Sequence, residues 1–450
     1  MTYEEFIQSK AKLEGDYGFD VCESELSPML FDFQKYLVSW ALRKGRAAIF
    51  ADCGLGKTPM QLAWCDAITK KYNKRALILA PLAVADQTAR EAQKFGIDIY
   101  HSRKGEIDSR IVITNYERLH YFNANDFYCI VLDESSILKN YAGKYRQTIT
   151  EFMSTIPMRL LCSATPCPND HMELGTSSEA LGVMRRVEML AQFFTHDGSD
   201  TAKWKLKGHG KKAFWRWMSS WARAIKKPSD IGFDDNGFIL PGFSRQDHKI
   251  ASQSRNDMLF PMEALTLEDQ RLEKRITMDR RCSAVADIAN SNNDYFVAWC
   301  QLNDESKKLA SMIDGAIEIT GSMDDDRKEE LLKDFSAGNI RVLVTKPSIA
   351  GFGMNWQHCN AMSYFPTHSH EQFYQCSRRM WRFGQKRDVI CHIVMSKSEQ
   401  AILDNMIRKE RESEYMFNSV IDAMHDHYDE LNGGDYKATQ EMEIPEWLVR

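Results

Sequence analysis

The sequence predicts an α/β protein with two doubly wound parallel sheets and a mainly helical region between them. Three observations carry that prediction. Short apolar runs alternate with helical segments from residue 46 to 162, the signature of parallel β-strands joined by helices. A glycine-rich turn, Ala51-Asp52-Cys53-Gly54-Leu55-Gly56-Lys57-Thr58, sits between the first run and a helix. The same strand–helix rhythm resumes near Asn293 without a second such turn.

In the first lobe, Arg46–Phe50, Arg75–Pro81, Arg110–Tyr116, Phe127–Leu132 and Met158–Cys162 read as buried strands. A charged helix is expected over about 85–95, and residues 5–25 mix polar and apolar positions at helical spacing. Ligands of open α/β sheets bind at the carboxyl ends of the strands. The glycine-rich turn, Asp133-Glu134 and Ser163-Ala164-Thr165 all follow such ends, so they can converge. The turn is a phosphate cradle, in which backbone N–H groups and a helix N-terminus face an anion. Gly54, Leu55 and Gly56 supply its backbone. Lys57 would reach the β- and γ-phosphates, and the Thr58 hydroxyl would ligate Mg²⁺. Pro59 falls in the first helical turn, where no N–H partner is lost. Asp133 would hold Mg²⁺ through water, and Glu134 would orient and deprotonate an attacking water. Gln34 precedes the turn and could read an adenine edge with its amide. Read alone, it is an ordinary surface residue of a helix.

The rhythm breaks over 183–286. Lys203, Lys205, Lys207, Lys211 and Lys212 lead into Phe214-Trp215-Arg216-Trp217 and Trp221. The lysines suit a nucleic-acid backbone, whereas the aromatics are better read as the core of a small subdomain. Residues 228–241 are expected to form a loop or hairpin turning at Asp235-Asn236-Gly237, and 260–290 an amphipathic helix. The second lobe is expected to run strands through Tyr295–Cys300, Ala316–Gly321, Arg341–Thr345 and Ala361–Phe365. Gln375, Arg379 and Arg382 follow. The two arginines lie three apart, expected on one helix face, where they could clamp a nucleotide γ-phosphate. Ser396–Glu399 reads as a capping box opening the final helix. The expected division is 1–182, 183–286, 287–430 and a tail, 431–450.

The 450 residues are 43% apolar and 27% charged, a globular composition. No apolar run reaches the roughly 18 residues of a membrane span. The 11 cysteines form no C-x-x-C pair, which argues for reduced, buried thiols, as in a cytosolic protein, and against zinc. A net charge of −5 leaves nucleic acid open as a partner, because basic residues can still line one face.

The order of these motifs resembles the superfamily-two helicases, and within them the Swi/Snf-type DNA translocases, over roughly 30–170 and 290–390. Gln34 matches the family's adenine-reading glutamine, and Gly54–Thr58 its phosphate loop. Asp133-Glu134 with Leu138-Lys139-Asn140 is similar to the Swi/Snf form of the second motif. Ser163-Ala164-Thr165 matches the motif coupling hydrolysis to movement. Gly353-Met354-Asn355 resembles the loop of the fifth motif. Gln375, Arg379, Arg382, Gly384 and Gln385 match the arginine-finger motif. Ser135-Ser136 departs from the usual small residue and histidine, and Ala164 stands where many Swi/Snf proteins have glycine. The compact length resembles phage or prophage members.

The resemblance implies two RecA-like lobes, ATP and Mg²⁺ as cofactors, and a nucleic-acid-dependent ATPase. It implies movement on double-stranded DNA without full strand separation, with Lys139, Asn140 and Asn355 beside the lysines as contacts, and Gln375 as a coupling residue. A monomer in the cytoplasm, or in a host's cytoplasm if phage-encoded, is expected, with no membrane partner. Alternatives are a strand-separating helicase of DNA or RNA, or an ATP-switched clamp or recruitment subunit serving a repair, replication or restriction complex.

Overall fold

The computed structural model describes residues 15–139, 143–168, 170–197, 200–251, 267–351 and 354–432. They divide into two compact units. One runs to Phe238 and takes the chain up again at Glu412; the other is Ile239–Arg411. The division therefore falls at 238 and 411 rather than at 182 and 286.

The first unit is organised on a seven-stranded parallel sheet in the order β3-β4-β2-β5-β6-β1-β9. Its strands are β1 (Arg46–Ala51), β2 (Ala76–Ala80), β3 (Ile99–His101), β4 (Ile111–Asn115), β5 (Cys129–Asp133), β6 (Met158–Ser163) and β9 (Ala222–Ile225). Helices α1 (Asp32–Lys44), α2 (Lys57–Tyr72), α3 (Leu82–Lys94), α4 (Lys144–Met153), α5 (Leu174–Leu181), α6 (Arg186–Phe193) and α7 (Lys211–Ser219) complete it. β2, β4, β5 and β6 are buried at every position. That is why they are continuous apolar runs instead of alternating ones. The five strands expected from the sequence are all present.

Three strands of this unit lie where a mainly helical region was expected. β7 (Phe194–Asp197) and β8 (Asp200–Leu206) form an antiparallel hairpin. β9 adds beside β1, with Ala48 opposite Ala222 and Phe50 opposite Ala224. Phe214, Trp215, Trp217 and Trp221 are buried, as expected of a core. Residues 228–241 form no hairpin; a 3-10 turn at Pro228–Ile231 leads into irregular chain. Asp230 accepts the N–H groups of Lys226 and Lys227 there, so the turn closes on its own side chain. Among the described part of 15–25, only a 3-10 turn at Glu23–Glu25 is helical.

The second unit carries six parallel strands in the order β10-β15-β14-β11-β13-β12. They are β10 (Phe243–Ile250), β11 (Phe296–Trp299), β12 (Ala316–Glu318), β13 (Val342–Thr345), β14 (Ala361–Tyr364) and β15 (Val389–Ser396). Helices α8 (Leu267–Ile276), α9 (Met278–Asn290), α10 (Asn303–Met312), α11 (Asp325–Ser336), the short α12 (Pro347–Ala350) and α13 (His370–Ser377) surround them. Strand alternation divides the core in two. Val297, Trp299 and Leu343 join one cluster, and Phe296, Ala298, Val342 and Val344 the other. Of the helix expected over 260–290, residues 260–266 lie outside the described residues and the rest is two helices, broken at Thr277. Inside the unit Arg281 and Glu305 form a fully buried ion pair of 2.9 Å. Arg281 also lies over the Phe365 ring.

The capping box forms as expected: Glu399 accepts the Ser396 N–H. It opens α14 (Gln400–Asn432), whose last part belongs to the first unit. There Met424 Sδ accepts the Ala224 N–H of β9, and His425 bonds the Asp230 carbonyl at 2.7 Å. Among the described residues, no helix is long and apolar enough to cross a membrane.

Candidate functional site

In the first unit the chain turns from β1 into α2 through residues 52–56. Gly54 has φ +91° and Gly56 φ +74°, a left-handed region that side chains disfavour. A Cβ on Gly56 would sit 2.2 Å from Gln34 Nε2. Gln34 is buried, not at the surface, and both ends of its amide are engaged. Its Oε1 accepts the Phe31 N–H, and its Nε2 donates to the Leu55 carbonyl at 3.0 Å. Gln34 thus clamps the loop from α1. Each end of a primary amide keeps a second hydrogen-bonding position, so the clamp leaves capacity for a base edge.

Lys57 opens α2 and turns back over the loop, donating to the Ala51 carbonyl at 2.9 Å and the Asp52 carbonyl at 3.4 Å. Thr58 lies one residue on, and Pro59 interrupts no helical bond, because the first is Met60 N–H to Gly56 carbonyl. The helix N-terminus, the glycines and the ammonium all face one place, which suits a polyphosphate.

β6 lies between β1 and β5 in the sheet, so the ends of β1 and β5 are about 10 Å apart. Asp133 closes β5, paired with Cys162 of β6. The residue is 6% exposed, and its carboxylate accepts the Gln61 Nε2–H of α2 at 2.7 Å. Burial pushes the Asp133 pKa up, while the Gln61 bond and the Lys57 charge oppose this. Glu134 follows with φ +55°. A non-glycine residue there costs roughly 1–2 kcal/mol, a strain of the kind found at working sites. Tyr116, at the end of β4, donates its hydroxyl to the Asp133 carbonyl and fixes this turn. At the end of β6, Ser163 Oγ accepts the Thr165 N–H. Ala164 and Thr165 are buried, and the Thr165 hydroxyl has no partner among the described residues.

Thr58 and Asp133 are hard oxygen donors. Mg²⁺ takes few protein ligands and keeps phosphates and waters as the rest. Among the described residues no group of three or more His, Cys, Asp or Glu could hold a metal ion. The donor pair therefore fits Mg²⁺ arriving with a nucleotide, and it does not fit a dedicated zinc or calcium cage.

In the second unit α13 ends at Ser377, so Arg379 and Arg382 do not share a helix face. Met380 N–H bonds back only three residues to Ser377, and Gly384 takes φ +88°, so the chain tightens into turns. The two guanidiniums still converge. Arg379 Nη1 reaches the Met354 carbonyl at 3.2 Å, and Arg382 Nη1 the same oxygen at 3.4 Å. Arg379 Nε also bonds the Gln375 carbonyl. Gln375 is buried, and its Nε2 has no partner among the described residues. Gln385 staples the turn, donating to the Cys359 and Met380 carbonyls and accepting from Lys386 and Arg387.

The expected nucleic-acid contacts differ in exposure and in their partners. Lys205, Lys211, Lys212 and Asn355 are exposed. Lys207 is engaged at the C-terminus of α6, donating to the Ala191 and Gln192 carbonyls. Lys212 lies 3.7 Å from Asp426, and Lys139 is half-buried. Asn140, Gly353 and the Lys203 side chain lie outside the described residues. Gln61 and Tyr116 were not singled out in the sequence. A signal for Gln61 existed, since it falls one helical turn past Thr58 on the same face.

Residues 31–174 match the family described as DEAD/DEAH box helicase. Residues 281–384 match the helicase conserved C-terminal domain. No curated protein matches the chain. Among solved structures, the chain is similar to the Sulfolobus solfataricus SWI2/SNF2 ATPase core in complex with dsDNA. Identity is 16%, coverage is 90% of this chain and 97% of that one, and the TM-score is 0.42.

Proposed function

We infer that this chain, a superfamily-two helicase by both of its matched domains and so an ATP-hydrolysing nucleic-acid motor, translocates on double-stranded DNA. The observation that supports the ATP site best is the loop 52–58, clamped by Gln34, with Asp133 and Glu134 two strands away at the same sheet edge. Lys57 leaves the Ala51 carbonyl to bind the β- and γ-phosphates. Thr58 and Asp133 would hold Mg²⁺, which would neutralise phosphate charge. Glu134 orients the attacking water and takes its proton. Arg379 and Arg382 stabilise charge on the transferred phosphoryl group. Ser163–Thr165 and Gln375 couple that chemistry to movement, because buried polar groups with spare bonding capacity can change partners.

Double-stranded DNA is the proposed track because Asp133-Glu134 with Leu138-Lys139-Asn140 resembles the Swi/Snf spelling of that motif, the departure at Ser135-Ser136 apart, and Gln375, Arg379, Arg382, Gly384 and Gln385 match the family's arginine-finger motif. Binding through phosphates makes affinity fall with salt and depend little on sequence. The test is ATP hydrolysis at low salt with no nucleic acid, single-stranded DNA, duplex DNA or RNA. Strong stimulation by duplex DNA alone is expected. Greater stimulation by single strands or RNA would assign the chain to strand separation. No stimulation at all would assign it to an ATP-switched subunit awaiting a partner.

A further inference from the structure

Gln61 is fully buried in α2, three residues past Thr58, and its amide N–H bonds Asp133 Oδ1 at 2.7 Å. This bond links the helix that opens with Lys57 to the strand that ends in Asp133. The other end of the amide, Oε1, is buried without a partner among the described residues, and besides the Cys162 thiol the Asp133 carboxylate is what the amide engages, a reason for a glutamine to stand here instead of an apolar residue. An apolar side chain would cost less to bury. A neutral donor suits the place, because a lysine or arginine would compete with a cation for the same carboxylate.

We propose that Gln61 is a positioning residue for magnesium, fixing one oxygen of the Asp133 carboxylate so that the other would be free to serve an ion that Thr58 would also hold. The proposal rests on the ATP-site reading above. Partners of metal-ligating carboxylates typically matter by about 10- to 100-fold in metal affinity. A residue that only filled space would leave the magnesium dependence alone.

The experiment is binding of a fluorescent ADP analogue to the full chain, in EDTA and again across a Mg²⁺ titration. Gln61→Met keeps the volume and removes the bond. Gln61→Asn keeps the amide but falls one methylene short, which covers the case in which the Met variant fails to fold. Both are expected to bind the analogue in EDTA as the unaltered protein does, and to need at least about tenfold more Mg²⁺ for the tightened state. Asp133→Asn is expected to abolish most of the Mg²⁺ response, and adding Gln61→Met to it should change nothing further. An unaltered Mg²⁺ midpoint in the Gln61 variants would overturn the proposal. So would equal weakening with and without Mg²⁺. Failure of the unaltered chain to bind the analogue in any condition would instead overturn the ATP-site reading.

Discussion

Gly56→Ala should disable the phosphate loop by displacing Gln34, and the cost can be worked from contacts. Alanine at φ +74° is strained by roughly 1–2 kcal/mol. Its Cβ would lie 2.2 Å from Gln34 Nε2 and 3.2 Å from Pro59 Cγ. The proline ring can yield by a few tenths of an ångström, but the amide cannot stay. Its bonds to the Phe31 N–H and the Leu55 carbonyl are each worth about 1 kcal/mol. Gly56→Ala should therefore cost roughly 3–4 kcal/mol, and Gln34→Ala alone about 2 kcal/mol. In the double variant the clash is gone and the amide bonds are counted once. Its cost should stay near that of Gly56→Ala, a coupling of about 2 kcal/mol. Urea unfolding of the four proteins, followed by tryptophan fluorescence, measures this. Simple additivity would refute the clamp.

Other variants test separate parts of the account. Lys57→Ala should abolish ATP hydrolysis, and Arg382→Ala should lose far more hydrolysis than ATP binding, measured by turnover beside nucleotide titration. A proportional loss of ATP affinity in the Arg382 variant would remove its assigned role. Glu305→Gln leaves the Arg281 charge buried beside Phe365, so unfolding should cost about 3–5 kcal/mol less; a change below 1 kcal/mol would contradict the burial. Burial holds His370 and His392 down to about 4, with Lys409 and His248 respectively adding to the effect. The unfolded chain then binds more protons than the folded one between about pH 6.5 and 4. Stability should be full above 6.5 and fall as pH drops through that window, and His392→Gln should flatten the fall in a pH series of melting temperatures.

The strands of the first unit were legible because they are parallel and covered on both faces. Ile49, Ile78, Ile113, Val131 and Leu161 leave no polar alternation to misread. β9 was hidden for the opposite reason. Four residues, Ala222–Ile225, follow a tryptophan-rich helix and carry a polar arginine, so only pairing with β1 makes them a strand. β10 reads as polar because it is an edge strand, with Ser244, Arg245, Gln246 and Asp247 exposed or partly so. In the candidate site, the placement of Lys57, Asp133 and Glu134 at strand ends was legible from spacing along the chain. The Gln34 clamp, the Gln61 bond and the shared grip of Arg379 and Arg382 on Met354 were not, because each joins residues brought together only by folding. Spacing misplaced the arginines on a helix, since turn formation after Ser377 depends on backbone bonds that a three-residue interval cannot reveal.

The central claim is ATP-driven movement on intact duplex DNA. Its most direct test is displacement of a triplex-forming strand from a long duplex, run beside displacement of a strand from a forked duplex. The account predicts ATP-dependent release of the triplex strand, no release from the fork, and neither with Glu134→Gln. Release from the fork without release of the triplex strand would contradict it.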